Sequence, residues 1–246
     1  MKFDPHIHSV YSGDSRSEVI DILIQAEKKG LDAIAISDHN EIKGSRLARS
    51  YGGNIIVVPS IEISSDKGHI LGLGVDEIIP KGLSAVETVD RIHDAGGLAI
   101  VPHPFSYYRH GLFCKVDKNL GVDGVETKNA RYIFGYSNKQ AETLAYNKRL
   151  ATLGASDSHF LKSVGDAFTE RLDPVGDRLA PAEVVGRLDD LRDVLPAVFP
   201  NRRTPDDRRD CGRRDDDQRR YGDSHAHPAG RVEPSVHLTT PFPVCV

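Results

Sequence analysis

Short apolar runs alternate with longer segments of helical periodicity between residues 2 and 162. The clearest helix is predicted over 17–29, where apolar side chains recur at helical spacing and Gly30 follows as a C-terminal cap. Capping boxes predict that two further helices begin at Ser84 and Ser137. The short runs predict strands over 2–7, 33–37, 55–58, 61–63, 69–73, 98–101, 122–125 and 151–155.

This repeated strand-then-helix order predicts an α/β fold with a largely parallel sheet, either open or closed into a barrel. Polar residues favour the barrel, because they recur where the predicted strands end. Barrel enzymes collect their chemistry at the carboxyl ends of the strands. We therefore expect a distorted TIM-like barrel with about seven strands.

The character of the chain changes after Lys162, which is the last lysine, since the thirteen basic residues beyond it are all arginine. Residues 1–172 are predicted to form the folded domain and 173–199 an uncertain helical extension. Residues 200–246 are rich in Arg, Asp and Pro and show no apolar periodicity, which predicts a mostly disordered tail. A shift of the coding frame after Glu170 would explain the change, and the tail would then not be native; resequencing the gene tests this hypothesis.

Composition narrows the class of protein. The 246 residues carry a net charge of −4, which argues against a general surface for polyanions. No leader segment and no apolar stretch long enough for a bilayer occur, so we expect a cytoplasmic protein that does not contact membranes. The three cysteines are widely spaced and form neither a disulfide framework nor a thiolate zinc site.

Histidines and acidic residues form the chemical pattern of the chain. His6 and His8 are two residues apart on the first predicted strand, so their side chains point the same way and can reach one metal ion. Further imidazoles and carboxylates follow later apolar runs, and this ligand set suits manganese, zinc or iron. The full set of candidate metal ligands is His6, His8, Asp14, His39, Glu62, His69, His103, Asp157 and His159.

These nine residues can be divided among three divalent ions. His6 and His8 would share the first ion with Glu62 and Asp157. Glu62 would bridge to a second ion held by His69 and His103. A third ion would be held by Asp14, His39 and His159.

The pattern over residues 2–170 resembles the PHP (polymerase and histidinol phosphatase) family of trinuclear metal phosphoesterases. It shares with that family the initial His-x-His, an acid six residues on, Ser37-Asp38-His39, a glutamate, two further histidines and a late Asp-x-His. The resemblance implies a distorted (βα)7 barrel and hydrolysis of a phosphoester. It implies attack of a metal-bridging hydroxide on phosphorus, without a covalent nucleophile.

Five further residues are assigned to the reaction. Asp38 is expected to orient a ligand or a metal-bound water, and Glu126 to support a ligand or contact substrate. Arg109, Lys128 and Arg131 are expected to bind the substrate phosphate.

Other histidines are excluded as ligands. His93 falls within a predicted helix and His110 within a predicted loop. His225 and His227 repeat the His-x-His spacing where no strand is predicted.

The expected partner is a small phosphomonoester or nucleotide. A metal-dependent amidohydrolase comes second, because it leaves Asp14, His39 and Glu62 poorly used. A 3′–5′ exonuclease is disfavoured by the modest acidity and the lack of a basic groove. A metal-binding domain without catalysis should lack ligands, and here each position is filled. The oligomeric state stays open.

Overall fold

The computed structural model describes residues 1–112, 120–132 and 135–170. The sequence predictions for 173–199 and 200–246, and the histidines at 225 and 227, lie outside the described residues. Both strands and helices occur along this part of the chain, which confirms a mixed α/β fold. In chain order the elements are β1 Lys2–Ile7, α1 Val19–Lys28, β2 Ala33–Ile36, α2 Lys43–Tyr51, β3 Ile56–Val57, β4 Ser60–Ser64, β5 His69–Leu73, α3 Ala85–Asp94, β6 Leu98–Val101, β7 Gly124–Asn129, α4 Tyr136–Lys148, β8 Ala151–Ala155 and β9 Thr169–Glu170.

The helix ends test the predicted caps. Helix α3 begins after Ser84, whose hydroxyl accepts a hydrogen bond from the backbone N–H of Glu87 at 3.2 Å, as predicted. The cap predicted at Ser137 is wrong, because α4 begins one residue earlier with Gly135 as its N-cap and no side-chain bond. Helix α2 was not predicted, because this segment is mainly polar and shows only a narrow buried stripe.

The described strands form two sheets rather than a closed barrel. The first sheet has the order β3-β2-β1-β9 and the second β4-β5-β6-β7-β8. Pairing is parallel within β1-β2-β3 and within β6-β7-β8, but β4, β5 and β6 pair antiparallel. The predicted (βα)7 barrel is therefore not what the structure shows. The reason is the short turn between β4 and β5, since a turn without a crossover helix can only reverse the chain.

The two sheets approach each other at one rim. Isolated parallel bridges join Ile7 to Ser158 and His39 to Glu62 across the sheets. Below this rim, buried side chains from both sheets form one apolar cluster, which includes Phe3 and Ile100. The burial of this cluster fixes the strand ends that carry the polar residues.

A register irregularity in β1 aims the first histidines at the rim. Phe3 lies in the cluster shared by both sheets, whereas Ile7 lies in the cluster under helices α1 and α2. Strict alternation would put two residues with even spacing on one face. The pairing with β2 shifts register between Asp4 and Ile7, which exchanges the faces and leaves His6 fully buried.

No helix of the described residues is long and apolar enough to cross a membrane.

Candidate metal centre

All nine predicted ligands lie together at the rim. Their donor atoms fall into four overlapping groups, and within each group the donor atoms are within 4.8 Å of one another. The groups are His8, Asp14, His39 and His159; His6, Glu62 and His103; His6, His8 and Asp157; and His39, Glu62 and His69.

Chain direction explains how distant residues meet there. His8, His39, His103 and Asp157 follow the carboxyl ends of parallel strands, as the sequence predicts. His69 is instead the first residue of β5. Because β5 runs antiparallel to its neighbours, its amino end lies at the same rim.

Glu62 is the centre of one half of the site. Its Oε1 lies 2.9 Å from His69 Nδ1 and 3.2 Å from His103 Nε2. Its Oε2 lies 3.0 Å from His39 Nδ1 and 3.3 Å from His6 Nε2. The carboxylate is fully buried, so its two oxygens serve different sets of imidazoles.

Asp157 is the centre of the other half. Its Oδ1 lies 3.5 Å from His8 Nε2 and 3.8 Å from His6 Nε2. The same two ring nitrogens of His6 and His8 are 3.0 Å apart, so both histidines lie between Glu62 and Asp157.

A third group lies at the mouth of the site. Asp14 Oδ2 is 2.8 Å from His159 Nε2 and 3.4 Å from His39 Nε2. His8 joins them, since its ring centroid is 4.1 Å from that of His159. Asp14 is about half exposed, which makes this the open end of the cluster.

The donor set fits divalent cations. Imidazole nitrogens and carboxylate oxygens are the ligands of zinc, manganese and iron, and no sulfur takes part in the four groups. Glu62 Oε2, His39 Nδ1 and His103 Nδ1 are buried and form no hydrogen bond. Buried polar atoms of this kind are costly without a partner, and for the converging Glu62 and His39 atoms a shared cation would supply one.

The pKa shifts follow from this crowding. Burial opposes ionisation of Glu62 and Asp157, but the surrounding histidines, of which His6 contributes most, together outweigh it and hold the pKa of both carboxyls well below the usual range. Burial also opposes protonation of His39, yet the carboxylates of Asp14 and Glu62 beside its ring raise its pKa to about 10. Burial lowers the pKa of His8 to about 4, which leaves its ring neutral with a lone pair available. A cation bound here would compete with the protons of the charged histidines.

Two of the candidate ligands have strained backbones. His103 has φ +28° and Asp157 has φ +50°, in a region that side chains other than glycine seldom adopt. Such conformations persist where the surrounding contacts fix them, and they are common at functional sites.

Glu126 supports the cluster from behind. Its Oε1 lies 2.6 Å from His6 Nδ1, and its Oε2 accepts a hydrogen bond from the backbone N–H of His103 at 2.9 Å. A carboxylate at the second ring nitrogen fixes the tautomer and orientation of a metal-binding histidine. Of the two roles expected for Glu126 from the sequence, support of a ligand and contact with substrate, this position corresponds to the first.

Asp38 is placed differently from the sequence expectation. Its carboxylate accepts hydrogen bonds from the backbone N–H and the hydroxyl of Ser9, both at 2.7 Å. These bonds fix the segment after His8, and neither of them goes to His39. Gly44 allows this approach, because a Cβ there would lie 2.1 Å from Asp38 Oδ2.

Two of the three predicted phosphate-binding residues lie in the site. Arg109 donates from Nη1 to Asp157 Oδ2, and its guanidinium lies 4.6 Å from the ring centroid of Tyr132. Arg131 Nη1 lies 3.3 Å from Asp157 Oδ1 and 3.0 Å from His159 Nδ1.

Lys128 does not reach the site. Its side chain is exposed, and it is absent from the described residues that line the cavity. The cause is a register shift in β7 between Glu126 and Lys128, which breaks the alternation that would have put both on one face.

The cluster opens into a cavity of about 410 Å³. Tyr108 and His110 line its mouth beside Arg109 and Arg131, although the sequence does not single out either for this position. His110 belongs to none of the four groups of possible ligands among the described residues. His93 lies elsewhere, on α3, where its Nε2 is 2.8 Å from Asp123 Oδ2.

Sequence reasoning missed Asn129, which is buried beside Glu126 and Asp157. No motif points to it. The only sequence signal is that Asn129 lies three residues after Glu126. Strict alternation would put these two residues on opposite faces of the strand, so this signal can be used only when the register shift of β7 is known.

Known proteins resemble this chain along most of the described residues. The PHP domain family matches residues 4–103, and the PHP-associated family matches residues 135–180. An uncharacterised protein of Methanocaldococcus jannaschii is 40% identical over 62% of this chain and 94% of its own length. A phosphoribosyl 1,2-cyclic phosphate 1,2-diphosphodiesterase of Eggerthella lenta is 36% identical over 37% of each chain. A "probable histidinol-phosphatase" of Thermotoga maritima is 28% identical over 49% of this chain and 42% of its own.

The fold is shared with solved structures. One is a two-domain protein of Bacteroides vulgatus containing a predicted PHP-like metal-dependent phosphoesterase, with a TM-score of 0.56 and 20% identity. That match covers 65% of this chain and 52% of the other. The relatives, the matched families and the arrangement of the rim agree with one another: the chain belongs to the PHP family.

Proposed function

We propose that this protein hydrolyses a small phosphorylated compound, a phosphomonoester or nucleotide, with divalent cations held by the nine-residue cluster. The observation that carries the proposal is that metal-ligand side chains and two arginines share one cavity. The names of the relatives from Eggerthella lenta and Thermotoga maritima support phosphoester chemistry, one on a cyclic diester and the other on a monoester.

Three cations are assigned to the donor groups. His6, His8, Glu62 and Asp157 would hold the first, and Glu62 would bridge to the second with His69 and His103. Asp14, His39 and His159 would hold the third. Divalent ions in such a cluster make water a nucleophile near neutral pH and screen the charge of phosphoryl oxygens.

The protein groups around the donors keep them in place. Glu126 holds the ring of His6 through Nδ1, so that Nε2 faces Glu62 and His8. Ser12 is 2.9 Å from Nδ1 of His8 and serves the same purpose there. Hydrogen bonds at the remote nitrogen leave the other ring nitrogen to bind a cation.

The arginines are assigned to the phosphate. Guanidinium groups bind phosphate oxygens through paired, charge-assisted hydrogen bonds. Arg131 is more exposed than Arg109, at 37% against 17% of the side chain, so Arg131 is the better placed to meet an incoming anion.

In a phosphoester the two arginines would meet the charged phosphoryl group itself, whereas in an N-acyl amino acid they would meet only the carboxylate, away from the neutral amide bond that is cleaved. A 3′–5′ exonuclease would use the same chemistry on a longer substrate. A cavity of about 410 Å³ suits a small molecule or a chain end better than a duplex.

The test is a substrate screen with purified protein loaded with Mn²⁺ or Zn²⁺, after metal content has been measured by elemental analysis. The substrates are p-nitrophenyl phosphate, nucleotides and histidinol phosphate, together with an N-acyl amino acid and a single-stranded oligonucleotide. We expect release of phosphate from at least one monoester, and loss of that activity in His8→Ala. The control His93→Ala removes a histidine that lies outside the cavity.

Hydrolysis of the acyl substrate alone would favour an amidohydrolase, and degradation of the oligonucleotide alone an exonuclease. Full activity in His8→Ala would contradict the assignment of the site.

A further inference from the structure

We propose that Asn129 is a positioning residue that holds the Asp157 carboxylate and the Arg109 guanidinium in fixed relation to each other. The inference rests on the proposed function, since it assigns Asp157 to the metals and Arg109 to the phosphate. It starts from the side-chain amide of Asn129, which is almost completely buried, with 1% of the residue exposed.

The amide of Asn129 donates to two carboxylates. Its Nδ2 lies 3.0 Å from Glu126 Oε2 and 3.2 Å from Asp157 Oδ2. Glu126 in turn holds His6, so one amide group connects the support of a histidine with a carboxylate of the cluster.

The carbonyl oxygen of the same side chain accepts from the arginine side. Arg109 Nη1 donates to Asn129 Oδ1 at 3.0 Å, and the backbone N–H of Arg131 donates to it at 3.0 Å. These partners fix the orientation of the amide, because arginine offers only donors and ionised carboxylates only acceptors. A flipped amide would lose four hydrogen bonds at once.

Asn129 is itself held from helix α4. The backbone N–H of Asn129 donates to Asn138 Oδ1 at 3.0 Å, and Asn138 Nδ2 donates to the backbone oxygen of Asn129 at 3.3 Å. The first turn of α4 thus fixes the end of β7 just beyond its register shift. Residues whose own positions are fixed by such bonds can hold functional groups accurately.

Asparagine has a property here that neither alanine nor aspartate can supply. Alanine removes both the donor and the acceptor. Aspartate keeps the shape and the acceptor for Arg109, but it turns an oxygen instead of an N–H towards Glu126 and Asp157. Three carboxylates would then crowd one buried place, and like charges there repel strongly.

The experiment compares Asn129→Ala and Asn129→Asp with wild type and with the control pair Asn147→Ala and Asn147→Asp. Asn147 is an exposed asparagine on α4. The affinity for Mn²⁺ is measured by titration calorimetry without substrate, and kcat and KM with p-nitrophenyl phosphate at saturating metal. Thermal melting reports whether each variant is folded.

We expect Asn129→Ala to weaken Mn²⁺ binding and to lower kcat/KM by about tenfold, as is typical when a group that orients a metal ligand is removed. Asn129→Asp should lose more than Asn129→Ala, about 100-fold, because it adds the repulsion. The Asn147 variants should match wild type. A purely structural role would lower the melting temperature of the Asn129 variants but leave the Mn²⁺ affinity of the folded protein unchanged, and that result would overturn the proposal.

If neither Asn129 variant folds, Asn138→Ala takes their place, because it removes the bonds that hold Asn129 without changing its side chain. An unchanged Mn²⁺ affinity in Asn138→Ala would then overturn the proposal. The metal titration also separates this inference from the proposed function. Wild-type protein that binds Mn²⁺ but hydrolyses no phosphoester refutes the function and leaves the comparison of affinities intact.

Discussion

Glu62 and Asp157 are both buried carboxylates at the same rim, and both contact His6 and His8. Their remaining partners differ. Glu62 meets three more histidines, whereas Asp157 meets one more histidine, His159, together with two arginines and one asparagine. A histidine can exchange its proton for a metal ion, but an arginine stays protonated, so it cannot coordinate a cation and attracts anions instead. The Glu62 half is therefore suited to cations alone, and the Asp157 half to cations and a phosphate together.

Exposure separates Arg131 from the buried residues around Glu62. Glu62 and His103 are almost fully buried, whereas the side chain of Arg131 is 37% exposed. A substrate that entered from solvent would therefore meet Arg131 before Glu62. The comparison thus gives each half its own expected response when a residue is changed.

Removing the metals should have the largest effect, because it affects both halves. We expect treatment with EDTA to lower turnover of p-nitrophenyl phosphate by at least about 1000-fold, since bound cations contribute several kcal/mol to catalysis. Addition of Mn²⁺ after removal of the chelator should restore activity. Elemental analysis verifies that the metals have been removed completely. Protein that then keeps a tenth or more of its activity would contradict the assignment of catalytic cations to the two halves.

Glu62→Gln should come next, because it removes the charge that five imidazoles surround. Because Glu62 is assigned to two cations, we expect fewer bound metals per chain and a loss of roughly 100- to 1000-fold in kcat, which is about 3–4 kcal/mol of transition-state stabilisation. The control is Glu142→Gln, an exposed glutamate on α4. Native mass spectrometry gives the metal count, and a full count in Glu62→Gln would argue against its central position.

Substitutions of the two arginines should have different effects on kcat and KM. Arg131→Ala should raise KM about tenfold with a smaller change in kcat, since a charge-assisted hydrogen bond is worth about 1.5–3 kcal/mol. Arg109→Ala should lower kcat as well, because Arg109 also contacts Asp157 and Asn129. Steady-state kinetics with Arg91→Ala as the exposed control distinguishes them, and identical profiles for both arginine variants would contradict separate roles for the more exposed and the more buried guanidinium.

The ligands could be predicted from sequence because each belongs to a short local pattern. The spacing of His6 and His8, and of Asp157 and His159, fixes their relation whatever the rest of the chain does. The strand ends then bring the patterns together, and most strands were predicted to within two residues.

Whether the strands close into a barrel could not be predicted from the sequence, because closure depends on which distant strands pair. Ser65 to Gly68 form a turn that reverses the chain between β4 and β5, so the repeat of strand and helix is broken there. That turn is visible in the sequence as Ser-Asp-Lys-Gly, but its effect on sheet closure is not. The same limit explains Asn129 and Lys128, whose positions depend on an irregularity of one strand against its neighbour.

Lys128 supplies the smallest expected effect and tests that explanation directly. Its side chain is exposed on β7 and, among the described residues, lines no part of the cavity, so Lys128→Ala should change kcat/KM by no more than about twofold. The free energy of unfolding of Lys128→Ala should also stay close to that of wild type, because exposed lysines contribute little to stability. Strict alternation from Glu126 would instead place the ammonium group beside the phosphate, and Lys128→Ala would then raise KM as Arg131→Ala does. Measuring Lys128→Ala and Arg131→Ala in parallel therefore shows on which face of β7 the Lys128 side chain lies. The same result tests whether the register shift that brings Asn129 to Asp157 exists in solution.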